Sequence, residues 1–238
     1  MNPDIFGAAI QDYYADQYSE DIVVQAADFD DDSIPIPYLF RSYEEMPPLE
    51  QKALSLCRGT VLDVGCGAGS HALYLQNECK LQVTAIDSSA GAIGVCQQRG
   101  VQQAEVSTLY DWKKSGFDTI ILLMNGSGII GRLQEIDRFF THLKSLLQPN
   151  GQVLIDSSDL AYLFMEEDGG FWVDAAAGYY GEMQYRLQYK NQVSDWFDWL
   201  YLDYNTLQNA ANHHGFVCEL AYEGDHYDYL AQLTWVDS

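Results

Sequence analysis

A short apolar strand that runs directly into a glycine-rich turn is the feature that most restricts the fold of this chain. Residues 60–64 read Thr-Val-Leu-Asp-Val, residues 65–69 read Gly-Cys-Gly-Ala-Gly, and an amphipathic helical pattern follows. Glycines let the backbone turn sharply and approach a ligand closely, and the first N–H groups of a helix face that ligand. This order of elements is typical of a nucleotide-binding α/β sheet.

Further strands and helices alternate along the next hundred residues. The pattern predicts strands at residues 82–86, 104–108, 118–124 and 152–156, with helices between them. Such alternation indicates a parallel sheet with helices on both faces, and the continuous apolar run Ile-Ile-Leu-Leu-Met suits a central strand. After residue 160 the pattern predicts an inserted antiparallel pair at 182–190 and 196–202, a helix at 203–214, and two final strands at 216–222 and 227–235.

The spacing of the glycines separates two classes of cofactor. A dinucleotide site requires Gly-x-Gly-x-x-Gly, and its third glycine would fall on Ser70. The segment 61–75, VLDVGCGAGSHALYL, instead resembles the first motif of class I S-adenosylmethionine-dependent methyltransferases. The resemblance extends to Asp87, the acid that closes the second strand, and to the segment FDTIILLMN; it covers about residues 45–160 and the final helix and hairpin. We therefore expect a methyltransferase and not a nicotinamide-dependent oxidoreductase.

The resemblance implies a fold and a division of the chain. The expected fold is a Rossmann-like three-layer sandwich with a mostly parallel seven-stranded sheet, an antiparallel last strand, a small antiparallel insertion and an N-terminal cap. We expect one domain, in which residues 1–48 form a cap or lid and 49–160 the cofactor-binding core. Residues 161–202 would form the insertion, and 203–238 the final helix and hairpin.

The resemblance also assigns roles in binding the methyl donor. Gly65 and Gly67 would face its methionine part, Asp63 would lie near its ammonium group, and the Asp87 carboxylate would accept hydrogen bonds from both ribose hydroxyls. The acid that often follows the third strand in this family is replaced by Thr108, which leaves backbone groups near Leu109 to contact the adenine. The full expected set is Arg41, Asp63, Gly65, Cys66, Gly67, Asp87, Ser88, Thr108, Leu109 and Asn125.

Two of these residues have alternative interpretations. Arg41, the only basic residue among the first fifty, either pairs with the cofactor carboxylate or neutralises the nearby Glu44 and Glu45. Asp87 either binds the ribose or caps the helix that follows it.

The methyl acceptor is expected at the carboxyl ends of the strands, where open parallel sheets bind their ligands. The polar residues that follow the fourth and fifth strands include Asn125 and Asp159, and the last hairpin places His226 on the same edge. Methyl transfer is an in-line displacement at a sulfonium carbon, so a base is needed only for an acceptor that arrives protonated. His226 is the first candidate for that base and Asp159 the second. The N-terminal tyrosines Tyr13, Tyr14 and Tyr18 are expected to close over this edge.

The charge distribution restricts the acceptor. The chain has 35 acidic and 12 basic residues, a net charge of −23. Residues 1–50 hold 12 acids and one base, and residues 156–238 hold 15 acids and two bases, while the central part is nearly neutral. Such flanks repel phosphate backbones and anionic lipid surfaces. We therefore expect a neutral or cationic small molecule, and neither nucleic acid nor a membrane, as the partner.

The remaining expectations concern location and alternatives. The sequence shows no membrane span or secretory signal, and its five cysteines follow no metal-binding spacing, so we expect a cytoplasmic protein without a metal site. A non-catalytic module that binds S-adenosylmethionine on the same fold remains a second hypothesis, since a fold does not fix a function. The oligomeric state is left open.

Overall fold

The computed structural model describes residues 3–164 and 178–236, which form six α-helices and twelve strands. In chain order these are α1 (Ile5–Tyr14), β1 (Ile22–Ala26), β2 (Asp32–Ile34), α2 (Pro48–Leu56), β3 (Thr60–Val64), α3 (Ser70–Asn77), β4 (Gln82–Asp87), α4 (Ala90–Arg99), β5 (Ala104–Val106), β6 (Phe117–Leu122), α5 (Ile136–Leu146), β7 (Leu147–Ser158), β8 (Glu182–Tyr189), β9 (Gln192–Val193), β10 (Phe197–Leu200), α6 (Tyr204–His213), β11 (Phe216–Glu223) and β12 (Asp228–Trp235). Within these described ranges no helix is long and apolar enough to cross a membrane.

The main sheet has seven strands in the order β11-β12-β7-β6-β3-β4-β5. Strands β3 to β7 pair in parallel, whereas β12 lies antiparallel between β7 and β11. The predicted Rossmann-like fold with an antiparallel last strand is confirmed. Because the order reverses between β3 and β6, the crevice beyond their carboxyl ends is the expected ligand position.

Helices cover both faces of this sheet, as the continuous apolar strands require. On one face, α5 and α6 bury side chains that include Phe139, Phe140 and Leu143 against β6 and β7. On the other face, α2, α3 and α4 bury Leu54, Leu75 and related side chains. The strand Phe117–Leu122 lies between these two layers, so its residues are buried on both sides.

A second, antiparallel sheet joins the N-terminal segment to the insertion. Its strands lie in the order β10-β8-β1-β2, with β9 also paired to β8. The predicted insertion strands are present, but the cap is not separate from them, because β1 pairs with β8 from Val23–Gln188 to Ala26–Tyr185. The short strand β2 was not predicted, because its residues, Asp-Ser-Ile, are mostly exposed and polar and give no strand pattern.

Helix α1 packs against α4 at a close approach of two glycines. A Cβ atom on Gly91 would lie 2.7 Å from the Cα of Gly7. The carboxylate of Asp4 accepts hydrogen bonds from the backbone N–H groups of both glycines, at 2.9 Å each. One anion therefore serves the N-termini of both helices, where the helix dipoles favour negative charge.

Gly91→Ala is expected to loosen α1, because the added methyl group would overlap the backbone of Gly7. Overpacking of this kind costs about 1–3 kcal/mol. Urea unfolding and hydrogen exchange of α1 amides would measure it. Gly94→Ala is the matched control on the same helix, since its Cβ would meet only Gln11 Nε2 at 4.0 Å. Equal stability of the two variants would contradict this account of the packing.

Candidate active site

The glycine turn after β3 leaves an open space on its outer side. Gly65 and Gly67 have φ angles of 73° and 53°, a region that favours glycine. A Cβ on Gly65 would lie 3.6 Å from Ile129, and one on Gly67 would lie 3.8 Å from the Phe6 ring. The missing side chains thus leave a narrow gap, bounded by a segment that follows β6 and by α1, in which a ligand can contact the backbone.

The carboxylate of Asp63 is buried with an unused acceptor beside this gap. Its side chain is only 2% exposed, and Oδ2 has no hydrogen-bond partner among the described residues. Burial raises the pKa of Asp63 to about 6, against an opposing effect of the His71 charge. A buried carboxylate is costly unless a cation or donor pairs with it, so the site fits a ligand ammonium group.

Asp87 at the end of β4 organises the glycine turn. Its Oδ2 accepts a hydrogen bond from the Gly67 N–H at 3.0 Å, and its Oδ1 accepts one from the Ser89 N–H at 2.8 Å. Burial raises the pKa of the Asp87 carboxyl. A carboxylate has about four acceptor positions, so these two bonds do not use all of them. The helix α4 itself is capped by Ser89, whose Oγ accepts a hydrogen bond from the Ala92 N–H. The exposed Ser88 lies between these two residues.

The segment after β5 runs beside Asp87, because the Ser107 N–H donates to the Asp87 carbonyl oxygen at 2.9 Å. The Thr108 hydroxyl donates to the Asp111 carboxylate at 2.7 Å. The Leu109 side chain is buried, and its carbonyl oxygen accepts a hydrogen bond from His142 Nε2 at 2.7 Å.

Arg41 does not neutralise Glu44 or Glu45, so that interpretation of the sequence is wrong. The guanidinium is buried and pairs instead with Glu50, and it also donates to the Tyr38 carbonyl oxygen. Glu50 was missed because a single acid in the first turn of α2 resembles any helix-start acid. Its second oxygen lies 2.5 Å from His71 Nε2. The Nε of Arg41 has no hydrogen-bond partner among the described residues.

The fourth strand ends in two consecutive left-handed residues, Met124 and Asn125, with φ angles of 68° and 59°. The buried carboxylate of Asp156 holds this turn, since it accepts hydrogen bonds from the Met124 N–H at 3.0 Å and the Gly126 N–H at 2.8 Å. Strained backbone of this kind collects at functional sites. Asn125 Oδ1 accepts a hydrogen bond from the Ser158 hydroxyl at 3.1 Å, which joins the ends of β6 and β7.

Asp159 and the last hairpin meet at the same edge of the sheet. The Asp159 N–H donates to the Tyr227 carbonyl oxygen at 2.9 Å, and Oδ1 of its carboxylate accepts a hydrogen bond from the Tyr180 hydroxyl at 2.8 Å. The neighbouring His226 is exposed, and its imidazole forms no hydrogen bond to the described residues. Asn125, Asp159 and His226 therefore share one edge, as their sequence positions predicted.

Aromatic side chains from separate segments border this edge, and we call them the aromatic wall: Phe29, Tyr162, Phe164, Tyr180, Tyr185, Tyr201 and Tyr227. Tyr162 stacks on Tyr227 with ring centroids 5.1 Å apart, and Phe164 contacts both Phe29 and Tyr180. Tyr185 and Tyr201 lie with their hydroxyls 3.5 Å apart. The aromatic composition alone did not indicate which tyrosines assemble here, because they come from segments that are far apart in the sequence.

The N-terminal tyrosines lie elsewhere, so their predicted position over the acceptor edge is wrong. Tyr13 contacts Phe40 at 4.6 Å between ring centroids, and Tyr14 donates to the Gln98 carbonyl oxygen near the end of α4. The start of α1 lies at the glycine turn, and the helix then runs along α4 away from it. Phe29, not a tyrosine of α1, brings the N-terminal segment to the aromatic wall.

Comparisons with known proteins agree with this geometry. A family model described as a methyltransferase domain matches residues 61–151. A structure of a methyltransferase from Bacteroides fragilis in complex with S-adenosyl-L-homocysteine is 49% identical, with a TM-score of 0.91; the match covers 98% of this chain and 95% of that one. No curated protein sequence matches the chain.

More distant structures share the fold. A methyltransferase from Clostridium acetobutylicum is 10% identical, with a TM-score of 0.57 over 82% of this chain and 94% of that one. An amino pentose methyltransferase from Micromonospora echinaspora is 13% identical, with a TM-score of 0.51 over 81% and 93%. Together with the Bacteroides match, the sheet order and the glycine turn, these findings show that the chain belongs to the class I S-adenosylmethionine-dependent methyltransferases and uses S-adenosylmethionine as its methyl donor.

Proposed function

We propose that this methyltransferase acts on a small, neutral or cationic acceptor that binds between the glycine turn and the aromatic wall. The methyl donor supplies an activated sulfonium methyl group, and transfer is an in-line displacement by an oxygen, nitrogen or carbon nucleophile. The observation that carries the proposal is the carboxylate of Asp159. The Tyr180 hydroxyl fixes it at the carboxyl edge of the sheet, the side on which Asp63 and Asp87 lie.

We infer the cofactor contacts from the same part of the structure. Asp63 would accept the ammonium group, Arg41 would meet the carboxylate through its unpartnered Nε, and Gly65, Cys66 and Gly67 would line the methionine part. Asp87 would hold the ribose, beside Ser88. The segment at Thr108 and Leu109 would border the adenine, and Asn125 would lie near the reacting sulfur. The unpartnered Oδ2 of Asp63 and the remaining acceptor capacity of the Asp87 carboxylate support these roles.

The charge of the cleft supports a neutral or cationic acceptor. Asp159 lies in it, and Asp32 acts electrostatically on Tyr185 and Tyr201. Arg41, the only basic residue in the first fifty, is already paired with Glu50. Aromatic faces attract cations, and acids repel anions at a confined opening. An amine or hydroxyl compound therefore fits better than a carboxylate, a phosphate or a nucleic acid.

Asp159→Asn is expected to lower kcat for methyl transfer by about 10²–10⁴-fold if Asp159 removes a proton from the acceptor. Affinity for S-adenosylhomocysteine should stay within about twofold of the wild-type value, because Asp159 is not among the residues proposed to bind the cofactor. His226→Gln tests the other candidate base, His226, in the same assay. Asp225→Asn is the matched control. Like Asp159→Asn it removes one carboxylate charge, but from an exposed position next to His226 in the last hairpin. Full activity of both Asp159→Asn and His226→Gln would exclude base catalysis by either residue.

A direct test of the function uses S-adenosylmethionine with a labelled methyl group and a panel of small amines, alcohols, phenols and carboxylates. Formation of S-adenosylhomocysteine together with a labelled amine or hydroxyl compound is the expected result. Transfer only to carboxylates or nucleic acids would overturn the acceptor class. Tight binding of the methyl donor with no transfer to any acceptor would favour a non-catalytic binding module.

A further inference from the structure

We propose that His71 and Glu50 are positioning residues that keep Asp63 negatively charged, so that it can pair with the ammonium group of the methyl donor. The inference rests on the proposed role of Asp63. It concerns residues that contact neither the donor nor the acceptor and that act through Asp63.

Four charged side chains form one buried cluster, which we call the Arg41–Asp63 relay: Arg41, Glu50, His71 and Asp63. They come from the segment before α2, the first turn of α2, the start of α3 and the end of β3. The Asp63 carboxylate accepts a hydrogen bond from the N–H of Ala72, the residue that follows His71. Arg41 pairs with one oxygen of Glu50, and His71 Nε2 lies 2.5 Å from the other. Each of the four residues is at most 8% exposed. Buried charges in such numbers are tolerated only when they are paired.

The charges balance only when His71 is an imidazolium. Arg41 and Glu50 cancel each other, which leaves the negative charge of Asp63 to be matched by His71. Burial acts to lower the pKa of His71, but the hydrogen bond to Glu50 and the charges of Asp63 and Glu50 raise it above its usual value. Burial likewise acts to raise the pKa of Glu50, and His71 and Arg41 hold it below its usual value.

The titratable groups around the relay determine whether Asp63 becomes protonated when His71 loses its charge. Around Asp63 these are His71 on α3, Asp87 on β4, Cys57 after α2 and Cys66 in the glycine turn. Around Glu50 they are Arg41, His71, Tyr38 and Asp156. Among the groups around Asp63, only His71 carries a positive charge. Loss of that charge leaves burial and the Asp87 carboxylate, which both favour the neutral acid, opposed by the hydrogen bond from the Ala72 N–H.

A consequence is that the relay affects only ligands that carry the amino-acid group. S-Adenosylhomocysteine has it, whereas 5′-methylthioadenosine has the same nucleoside and thioether without it. If His71 and Glu50 had a purely structural role, replacing them would weaken binding of both ligands. If they position Asp63, replacing them would weaken binding of S-adenosylhomocysteine and leave binding of 5′-methylthioadenosine unchanged.

The test measures binding of both ligands by calorimetry between pH 5 and pH 8.5 for the wild type, His71→Gln and Glu50→Gln. In His71→Gln we expect the midpoint of the pH dependence of S-adenosylhomocysteine affinity to rise by at least about one unit, which is a tenfold change in the ionisation equilibrium of Asp63. In Glu50→Gln we expect a smaller rise, because the Arg41 charge that Glu50 no longer cancels replaces part of the lost His71 charge. Affinity for 5′-methylthioadenosine should change by less than about twofold. The ligand ammonium group titrates identically in all three proteins, so comparison between them removes its contribution.

His214→Gln is the control variant, because His214 pairs with the exposed Asp137 and stacks on Phe140, outside the relay. Its profile should match the wild type. If the relay variants fail to fold, an NMR titration of His71 in the wild-type protein decides the question, with an imidazolium expected at pH 7. A neutral His71 at pH 7, or equal loss of both ligands in the variants, would overturn the inference.

These outcomes are distinct from failure of the proposed function. Absence of methyl transfer to any acceptor leaves the binding measurements intact. If Asp63→Asn binds S-adenosylhomocysteine like the wild type, the role of Asp63 fails and the relay fails with it. If Asp63→Asn loses binding while His71→Gln keeps the wild-type profile, only the relay fails.

Discussion

Asp63→Asn is expected to weaken S-adenosylhomocysteine binding by about 2–5 kcal/mol, the usual cost of removing one partner of a buried ion pair in a complex. The asparagine has nearly the same shape and keeps one carbonyl acceptor, but it has no charge to offer the ligand ammonium. Calorimetry at pH 7.5 measures the loss. Affinity for 5′-methylthioadenosine, which lacks the ammonium, should be retained.

The same substitution is expected to stabilise the free protein at neutral pH. An aspartate has a usual pKa of 3.8, and burial raises that of Asp63 to about 6. The folded state therefore holds the proton more tightly than the unfolded state, so this group lowers the free energy of unfolding as pH rises from 3.8 through 6. The difference amounts to about 3 kcal/mol above pH 6, at 1.36 kcal/mol per unit. Asparagine removes it, so Tm at pH 8 should rise.

Asp118→Asn is a control with the opposite expected effect on stability. Asp118 lies on β6 beside Thr60, the first residue of β3, whereas Asp63 lies near the end of β3. The hydrogen bonds from the Thr60 backbone and hydroxyl lower the pKa of Asp118, so its negative charge favours the folded state above its usual pKa and is lost as pH falls. Its replacement should lower stability slightly and leave ligand affinity unchanged. A lower Tm for Asp63→Asn at pH 8, with wild-type ligand affinity, would contradict the role of Asp63.

Asp87→Ala is the second large effect. Hydrogen bonds to charged groups contribute about 1.5–3 kcal/mol each, so loss of the ribose acceptor is expected to weaken binding of S-adenosylhomocysteine and 5′-methylthioadenosine by at least about tenfold. Both ligands carry the ribose, which distinguishes this result from that of Asp63→Asn. The variant also leaves the Gly67 N–H without its acceptor, because in the wild type this group donates to Asp87 Oδ2 at 3.0 Å.

Ser89→Ala separates ribose binding from helix capping. It removes the side chain that caps α4 and leaves the Asp87 carboxylate in place. A lost cap costs about 1 kcal/mol of stability, so Tm should fall while ligand affinity stays close to that of the wild type. If Ser89→Ala weakened both ligands as much as Asp87→Ala does, Asp87 would act through the helix and not through the ribose.

Local sequence pattern was sufficient for the core of the fold and for one edge of the site. The glycine turn, the acid at the end of β4 and the apolar run of β6 are each set by residues within a short window. Parallel strands place their carboxyl ends at one edge, so Asn125, Asp159 and His226 could be predicted to lie together. Whether these three act on the acceptor remains a prediction.

Contacts between distant segments could not be predicted in the same way. The pairing of β1 with β8 joins Val24 to Leu187, and nothing in the short strand Ile22–Ala26 specifies that partner. The partner of Arg41 depended on Glu50 turning inward at the start of α2, although Glu44 and Glu45 were nearer in sequence. Tyrosines were abundant at both ends of the chain, and only the packing of α1 along α4 separates Tyr13 and Tyr14 from those of the aromatic wall.

A crystal structure of the protein with S-adenosylhomocysteine is the most direct test of the account. We expect the amino group of the ligand against Asp63, its ribose hydroxyls on Asp87, and its sulfur facing a cleft bordered by Asn125, Asp159 and the aromatic wall. A ligand whose amino group lies away from Asp63, or whose sulfur faces away from that cleft, would contradict it.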